Sequence, residues 1–106
     1  MITFEEFSKL ELKVGTVLEA EDLEGSEKLL KLIVDIGEGK PRQIIAGIKK
    51  WYKADSLIGK QVIVVANLAP KVFMGHQSQG MMLAADGNKP ILLKPSQKAP
   101  PGTKIR

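Results

Sequence analysis

The feature that most constrains the fold is a series of short segments in which apolar and polar residues alternate. Such segments occupy residues 10–18 and 30–36, and a third apolar segment with strand character follows at 43–48. Neighbouring side chains of a strand point to opposite faces, so a period of two predicts strands with one buried face. Gly15 interrupts the first segment, and a glycine inside a strand often marks a bend or a bulge. We therefore expect three strands, the first of them bent.

The remaining segments predict two short helical pieces and further strands. Thr3 and Glu6 have the spacing of a capping box, which predicts a helix over about residues 4–9. Residues 49–58 precede Gly59 and suit a short helical turn that ends at a glycine. The continuous apolar run 61–68 predicts a strand buried on both faces, and short strands are expected at 81–85 and 91–93, with a loop between 67 and 80 and an irregular tail over 95–106.

Three strands, a helical segment and then two more strands is the order of a five-stranded Greek-key barrel, the OB-fold. A bent first strand fits this order, because that strand must pair on both sides of the barrel. A chain of 106 residues has the size of one domain. We predict an all-β fold in which residues 1–106 form a single domain with short helices at the N-terminus and between strands three and four.

Charge is sorted along the chain. Residues 1–27 carry eight acidic and two basic residues, a net charge of −6, whereas residues 28–106 carry fourteen basic and four acidic residues, a net charge of +10. Segregation of this kind can produce a surface of one sign that attracts polyanions such as nucleic acids. A soluble surface with mixed charges is the alternative interpretation.

The residue types do not indicate catalysis. His76 is the one histidine, and the acids nearest to it in sequence are Asp55 and Asp86, so no orienting carboxylate is apparent. The chain has no cysteine, which leaves no thiolate metal site, disulfide or cysteine nucleophile and fits a cytoplasmic protein. We expect no catalytic residue, no metal, no cofactor and no membrane segment.

The residue types favour binding of a polyanion over catalysis. Lys28, Arg42 and Lys71 are candidate phosphate contacts, because basic side chains neutralise phosphates and release counterions. Aromatic side chains can stack on unpaired bases. The sequence "KKWYK" at 49–53 could present such a side chain, although Trp51 is better interpreted as a core residue whose neighbouring lysines face water.

Several motifs together resemble one family. These are the start "FSKLELKVG" at 7–15, Glu27-Lys28-Leu29, Ile45-Ala46-Gly47-Ile48, and the longest one, Asn67-Leu68-Ala69-Pro70-Lys71 followed by Gly75, Ser78-x-Gly80-Met81 and Leu83-Ala84-Ala85. This pattern resembles the tRNA-binding domain that is appended to methionyl-tRNA synthetases. The same module occurs as a free-standing tRNA-binding protein and in the endothelial monocyte-activating polypeptide II group.

The resemblance implies an OB-fold homodimer that binds tRNA with little sequence preference, in cis or in trans to an aminoacyl-tRNA synthetase. It implies Ser78 and Met81 as direct tRNA contacts, with Lys28, Arg42 and Lys71 on phosphates. Asn67 either belongs to the tRNA-binding set or bonds the backbone of its own loop. Met1 directly precedes the family's usual start, which favours a free-standing protein over a synthetase domain.

One alternative function belongs to another class. A related OB-fold family acts as an export-linked chaperone that binds unfolded polypeptide, and it shares the start of the domain and a strand of the "KQVIVVAN" type at 60–67. The chain resembles that family less in the segment from Gly75 to Met81. We therefore expect tRNA binding and keep polypeptide binding as the alternative.

Overall fold

The computed structural model describes residues 1–106 and contains two short helical segments and nine strands. The helical segments are α1 (Phe4–Ser8) and a 3₁₀ helix (Ala54–Leu57). The strands are β1 (Leu12–Asp22), β2 (Leu30–Asp35), β3 (Arg42–Ala46), β4 (Gln61–Val65), β5 (Lys71–Phe73), β6 (His76–Ser78), β7 (Met81–Met82), β8 (Ala84–Asp86) and β9 (Pro90–Leu92). The expected helices are present, and the capping box forms, with the amide of Glu6 donating to Thr3 Oγ1 at 3.2 Å.

The main sheet has five strands in the order β3-β2-β1-β4-β7. β1 is shared between the two sides of the sheet, because Thr16 lies opposite both Asp35 of β2 and Gln61 of β4. The register of β1 relative to β2 shifts between Val17 and Glu19, just beyond Thr16, where the strand changes partner. The predicted five-stranded barrel with a bent first strand is therefore confirmed.

Gly15 has a role other than the expected bulge. The bulge lies two to three residues later, and Gly15 is buried where β1 crosses β2 and β4. A Cβ atom at Gly15 would lie 2.6 Å from Val34 Cγ1 and 3.3 Å from Val64 Cγ2. The absent side chain thus lets three strands approach closely.

The core lies inside this barrel. Leu30, Leu32 and Val34 point inwards from β2 and are fully buried, while the residues between them are only half-buried. In β4 the four residues from Val62 to Val65 are all buried, as expected for a strand covered on both faces. Inward-facing residues of β1 and β3 and Leu57 of the 3₁₀ helix complete the cluster.

The barrel closes between β3 and the segment Gln77–Gln79 mainly through side chains. One backbone bond joins them, from the Gln79 amide to the Gln43 carbonyl at 2.8 Å. The Gln43 amide donates to Gln79 Oε1 at 3.0 Å, and the Ile45 amide donates to Ser78 Oγ at 3.0 Å. We call this contact zone the barrel seam.

The expected loop between residues 67 and 80 contains a β-hairpin. Lys71 lies opposite Ser78 and Phe73 lies opposite His76, so β5 and β6 form a two-stranded ladder. Its turn residues Met74 and Gly75 both have positive φ angles, 50° and 82°. Positive φ at both positions is the geometry of a tight hairpin turn, which normally requires asparagine or glycine at the first position. Because a methionine occupies the first turn position, the sequence pattern does not indicate this turn.

The C-terminal segment is ordered against β1, whereas the sequence predicts an irregular tail. The Val14 amide donates to the Thr103 carbonyl at 2.9 Å, and the Gly102 amide donates to the Val14 carbonyl at 2.7 Å. The side-chain amide of Gln61 bonds both backbone groups of Ala99, accepting from its nitrogen at 3.0 Å and donating to its oxygen at 2.6 Å. The tail thus covers the edge of β1 that β2 leaves free.

Candidate nucleic-acid interface

The tip of the β5–β6 hairpin meets the loop 23–29 that joins β1 and β2. Met74 Cε lies 3.4 Å from the position that a Cβ atom on Gly25 would occupy, so the methionine rests on this glycine. Ser26 Oγ accepts bonds from the amides of Lys28 and Leu29, both at 3.1 Å, which fixes the loop. The hairpin and the loop therefore form one continuous surface, which we call the hairpin–loop face.

Two of the predicted phosphate contacts on this face carry free charges. Lys28 and Lys71 are exposed, and neither belongs to the three ion pairs of the structure, which are Lys31–Glu21, Lys49–Asp22 and Arg42–Glu38. Lys71 Nζ lies 5.1 Å from the centre of the Phe73 ring, a cation–π contact that leaves its protons accessible. Both lysines are thus available to an anionic ligand.

Arg42 is placed differently from what the sequence suggests. Its Nε and Nη2 donate to the two carboxylate oxygens of Glu38 at 2.9 and 2.8 Å, and Nη1 donates to the carbonyls of Ala66 and Gln79. The bond with Glu38 raises the pKa of Arg42 and lowers that of Glu38. Because its side-chain donors are bonded within the protein, the arginine holds the barrel seam together and is not free to contact a phosphate.

Ser78 is also committed within the protein. The side chain is 4% exposed, and its hydroxyl accepts from the Ile45 amide at 3.0 Å and donates to the Gly80 carbonyl at 2.9 Å. A hydroxyl with these two partners is not presented to solvent. The implied direct contact of Ser78 with tRNA therefore gives way to a structural role in the seam.

Asn67 bonds the backbone, the second of the two roles considered for it. Its Oδ1 accepts from the Glu11 amide at 2.8 Å, and its Nδ2 donates to the Lys9 carbonyl at 2.6 Å. These partners lie in the segment between α1 and β1, not in its own loop. Asn67 thus fastens the end of β4 to the N-terminal part of the chain.

The methionines separate into two groups. Met81 is 47% exposed and Met74 is 57% exposed, whereas Met82 is half-buried and packs against the core. Gly80 precedes Met81 with a φ of 146°, and a Cβ atom there would lie 3.0 Å from the Val65 carbonyl oxygen. Glycine is therefore required for the turn that brings Met81 to the surface.

Trp51 is not in the core, contrary to the preferred interpretation of "KKWYK". The side chain is 46% exposed and lines a shallow depression with Gly47 and the β8–β9 turn. Tyr52 is the residue that packs inwards, and its hydroxyl donates to the Pro90 carbonyl at 2.8 Å. Because the Lys49 amide donates to the Lys28 carbonyl at 3.1 Å, the Trp51 turn is joined to the hairpin–loop face.

His76 has one acidic residue nearby in this structure. It is half-buried in β6 and lies near Glu21, whose pKa is lowered mainly by a bond from Lys31 and to a smaller degree by His76. No group of three or more histidine, cysteine or acidic side chains could hold a metal ion. None of the helices has the length and hydropathy needed to cross a bilayer.

The sequence of this chain is similar to that of a known family and of one part of a longer enzyme. The model of the family described as "Putative tRNA binding domain" matches residues 12–104. A methionine–tRNA ligase from Methanothrix thermoacetophila is 57% identical over 107 residues, which cover all of this chain and 16% of the ligase. The chain thus spans about a sixth of the length of that curated relative.

Two solved structures have similar folds over the whole chain. A MetRS-related protein from Pyrococcus horikoshii has a TM-score of 0.93 and 38% identity, covering 100% of this chain and 98% of that one. A chaperone, CsaA, from Bacillus anthracis has a TM-score of 0.89 and 36% identity, covering 100% and 99%. One of these structural neighbours is therefore related to a methionyl-tRNA synthetase, and the other is a chaperone.

Proposed function

Because the chain belongs to the tRNA-binding domain family, we propose that it binds tRNA through the hairpin–loop face. The observation that carries this proposal is the pair of exposed lysines, Lys28 and Lys71, which have no acidic partner on a face that also presents apolar side chains. A phosphate needs only the charge and protons of a lysine, so contacts of this kind carry no sequence information. The proposed binding is therefore directed by the shape of the RNA.

Apolar side chains on and beside the face supply the second part of the interaction. Met74, Met81 and Trp51 are each about half exposed. Bases that are unstacked in RNA loops pack on aromatic rings, and a thioether offers a polarizable surface for the same purpose. We assign Trp51 as a stacking side chain, in addition to Met81, which the family resemblance implies.

Arg42, Asn67 and Ser78 support this surface in the proposal without touching the RNA. The hydrogen bonds of Arg42 and Ser78 join β3 to the end of β4 and to β6, which carries one half of the hairpin. Those of Asn67 join the end of β4 to the segment between α1 and β1. Substitution of these three residues is expected to change the stability of the barrel first. Loss of RNA affinity would follow from displacement of the hairpin.

We further propose that the domain assists an aminoacyl-tRNA synthetase without carrying out the ligation. The homologous ligase is about six times longer than this chain, so its remaining part is available for catalysis. A methionyl enzyme is the favoured partner, either covalently joined in cis or associated in trans. A cytoplasmic location remains a prediction of the sequence.

The function is tested by the salt dependence of tRNA binding. Replacement of Lys71 by alanine should weaken binding and reduce the slope of log affinity against log salt by about one unit, because one phosphate is no longer neutralised. Lys104→Ala is the matched control, since this exposed lysine lies in the tail beside Lys13. Equal slopes for the wild type and Lys71→Ala would remove Lys71 from the site.

Polypeptide binding is kept as a second candidate because of the similarity to the chaperone structure. The exposed apolar residues Val72, Met74 and Met81 would also suit an unfolded chain. Competition separates the two functions. Unlabelled tRNA should displace a fluorescent tRNA from the protein, whereas a denatured polypeptide should not. Binding of a fluorescent denatured polypeptide by a protein that does not bind the fluorescent tRNA would favour the chaperone function.

A further inference from the structure

A second basic feature lies away from the hairpin–loop face. It is a cleft of about 550 Å³ between the start of β4 and the C-terminal segment 94–98. Leu57 and Val62 of the core line the cleft, and Tyr52 and Leu92 form another part of its wall. We call it the tail cleft.

The wall of the tail cleft is fixed by hydrogen bonds. Gln61 lines the cleft and holds Ala99 through the paired amide bonds described above, and its Nε2 also donates to Thr16 Oγ1 at 3.1 Å. The tail continues from there along the edge of β1. Segment 94–98 is thus tethered at β9 on one side and at Ala99 on the other, so that the cleft is part of the folded domain.

The charge of the tail cleft has one sign. Lys60, Lys94 and Lys98 line it together with the polar side chains of Ser96 and Gln97, and no acidic residue is present in the lining. None of these three lysines takes part in an ion pair. Three uncompensated positive charges around one concave site produce a strongly positive local potential, which favours an anion.

We propose that the tail cleft is a second phosphate-binding site, which holds backbone phosphates of the same RNA that the hairpin–loop face binds. This inference rests on the proposed tRNA binding and adds a second contact region to it. Lysine amines and the amide and hydroxyl of Gln97 and Ser96 are all groups that bind phosphate oxygens. The concave shape suits a projecting sugar–phosphate backbone.

The position of the cleft supports an extended ligand. The cleft lies at the Gln61 end of β4, whereas Lys71 follows the other end, and a strand of this length spans about 13 Å. Tyr52 lines the cleft and directly follows Trp51, so the surface continues from one region to the other. A folded RNA is long enough to contact both.

A second copy of the chain is the competing occupant, because Ile91 lines the cleft and is half exposed. Two copies related by a twofold axis through this cleft would bring three lysines against three lysines. Like charges that face each other across an interface oppose association. Charge therefore favours RNA over self-association at this site.

The test uses the whole chain with Lys60, Lys94 and Lys98 changed to glutamine, which keeps most of each side chain and removes its charge. We expect the triple variant to lower the salt slope for tRNA by about one unit for each phosphate that the cleft no longer binds. Lys104→Gln is the matched control and should leave the slope unchanged. Thermal unfolding of each variant shows that the barrel is intact.

An unchanged tRNA slope in the triple variant would overturn the second site while leaving the hairpin–loop face in place. An Ile91→Lys variant that sediments as a smaller species than the wild type would instead assign the cleft to self-association, and absence of tRNA binding by the wild type would reject both proposals.

Discussion

At the scale of single residues, the hydroxyl of Ser78 connects two edges of the barrel. The Ile45 amide that it accepts from is buried, and no other acceptor is bonded to that amide in the seam. A buried donor that loses its partner retains the full penalty of its desolvation. Ser78 therefore contributes to stability far more than an exposed serine would.

Ser78→Ala should lower the free energy of unfolding by about 1–3 kcal/mol, because the Ile45 amide is left unpaired. Urea unfolding measures this difference. Ser56→Ala is the matched control, since Ser56 is exposed and bonds only the Lys53 carbonyl of its own turn. A Ser78→Ala protein with wild-type stability and weakened tRNA binding would restore the serine as a direct contact.

Met74 holds a backbone conformation that favours other residues. With a φ of 50° it lies in the left-handed region, which disfavours residues that carry a Cβ atom. Strained backbone of this kind is often found where a side chain is needed for binding. The exposed thioether next to Gly25 is consistent with such a need.

Met74→Asn should stabilise the protein by about 1 kcal/mol, because asparagine tolerates the left-handed conformation. The same change should weaken tRNA binding, because the apolar surface is removed. Met81→Asn serves as the comparison: it should weaken binding without raising stability. Thermal unfolding and tRNA titration of both variants check this, and unaltered affinity in Met74→Asn would exclude Met74 from the interface.

Gly15 is a residue whose small size allows β1, β2 and β4 to approach closely. Gly15→Ala should lower the free energy of unfolding by about 1–3 kcal/mol, because the new methyl group would overlap Val34. Gly39→Ala is the matched control, since no atom lies within 4 Å of the Cβ position there. Denaturant unfolding of the two variants should differ clearly, and equal stabilities would mean that β2 can move away from β1.

At the scale of elements, regular periodicity predicts the barrel strands well, whereas contacts distant in sequence are not predictable from it. β1 to β4 follow from alternation and from a continuous apolar run. The β5–β6 hairpin is not predicted, because Met74 occupies the position at which a turn residue is expected. Trp51 is wrongly predicted as a core residue, because the neighbouring Tyr52 is also aromatic and is the one that packs inwards. The roles of Arg42 and Ser78 depend on partners 24 to 37 positions away, which no local pattern indicates.

The Arg42–Glu38 pair links the β2–β3 turn to the seam and has a defined pH dependence. The bond from Arg42 lowers the pKa of Glu38 in the folded protein. A group with a lowered folded pKa contributes its full stability above the unfolded value of about 4.3. That contribution is lost as the pH falls through the lower folded value.

Glu38→Gln should therefore reduce stability at pH 7 and have progressively less effect as the pH falls below about 4.3. The difference at pH 7 should be no more than about 1 kcal/mol, because the pair is partly exposed and screened by solvent. Urea unfolding over a pH series measures it, with Glu24→Gln as the unpaired exposed control. A constant difference between wild type and variant over the whole series would exclude this ion pair as its source.

At the scale of the whole molecule, one group of exposed apolar residues lies near the two ends of the chain. Ile2 and Phe4 are 69% and 81% exposed, and Ile91 and Leu93 are 50% and 40% exposed. Exposed apolar residues in contiguous patches commonly mark interfaces between proteins. We propose that a homodimer forms through Ile2, Phe4 and Leu93, none of which lines the tail cleft. Such a dimer would also double the basic surface offered to one tRNA.

Sedimentation should then show a dimer at micromolar concentration, and Leu93→Lys should shift it to a monomer, because a buried unpaired charge opposes association. Leu18→Lys is the matched control, as Leu18 is 45% exposed and lies at the bulge of β1. A wild-type protein that sediments as a monomer would contradict the dimer.

The docking of the tail on β1 also has a consequence for the time course of folding. Val14 acquires its partner Thr103 only when nearly the entire domain has been synthesised. Contacts between residues so far apart in sequence close a long loop and are formed slowly. A ribosome-bound chain that ends before residue 99 would carry β1 with one edge open, and such an edge is a site for pairing with another strand. The C-terminal segment of the domain thus protects its first strand from pairing with another chain.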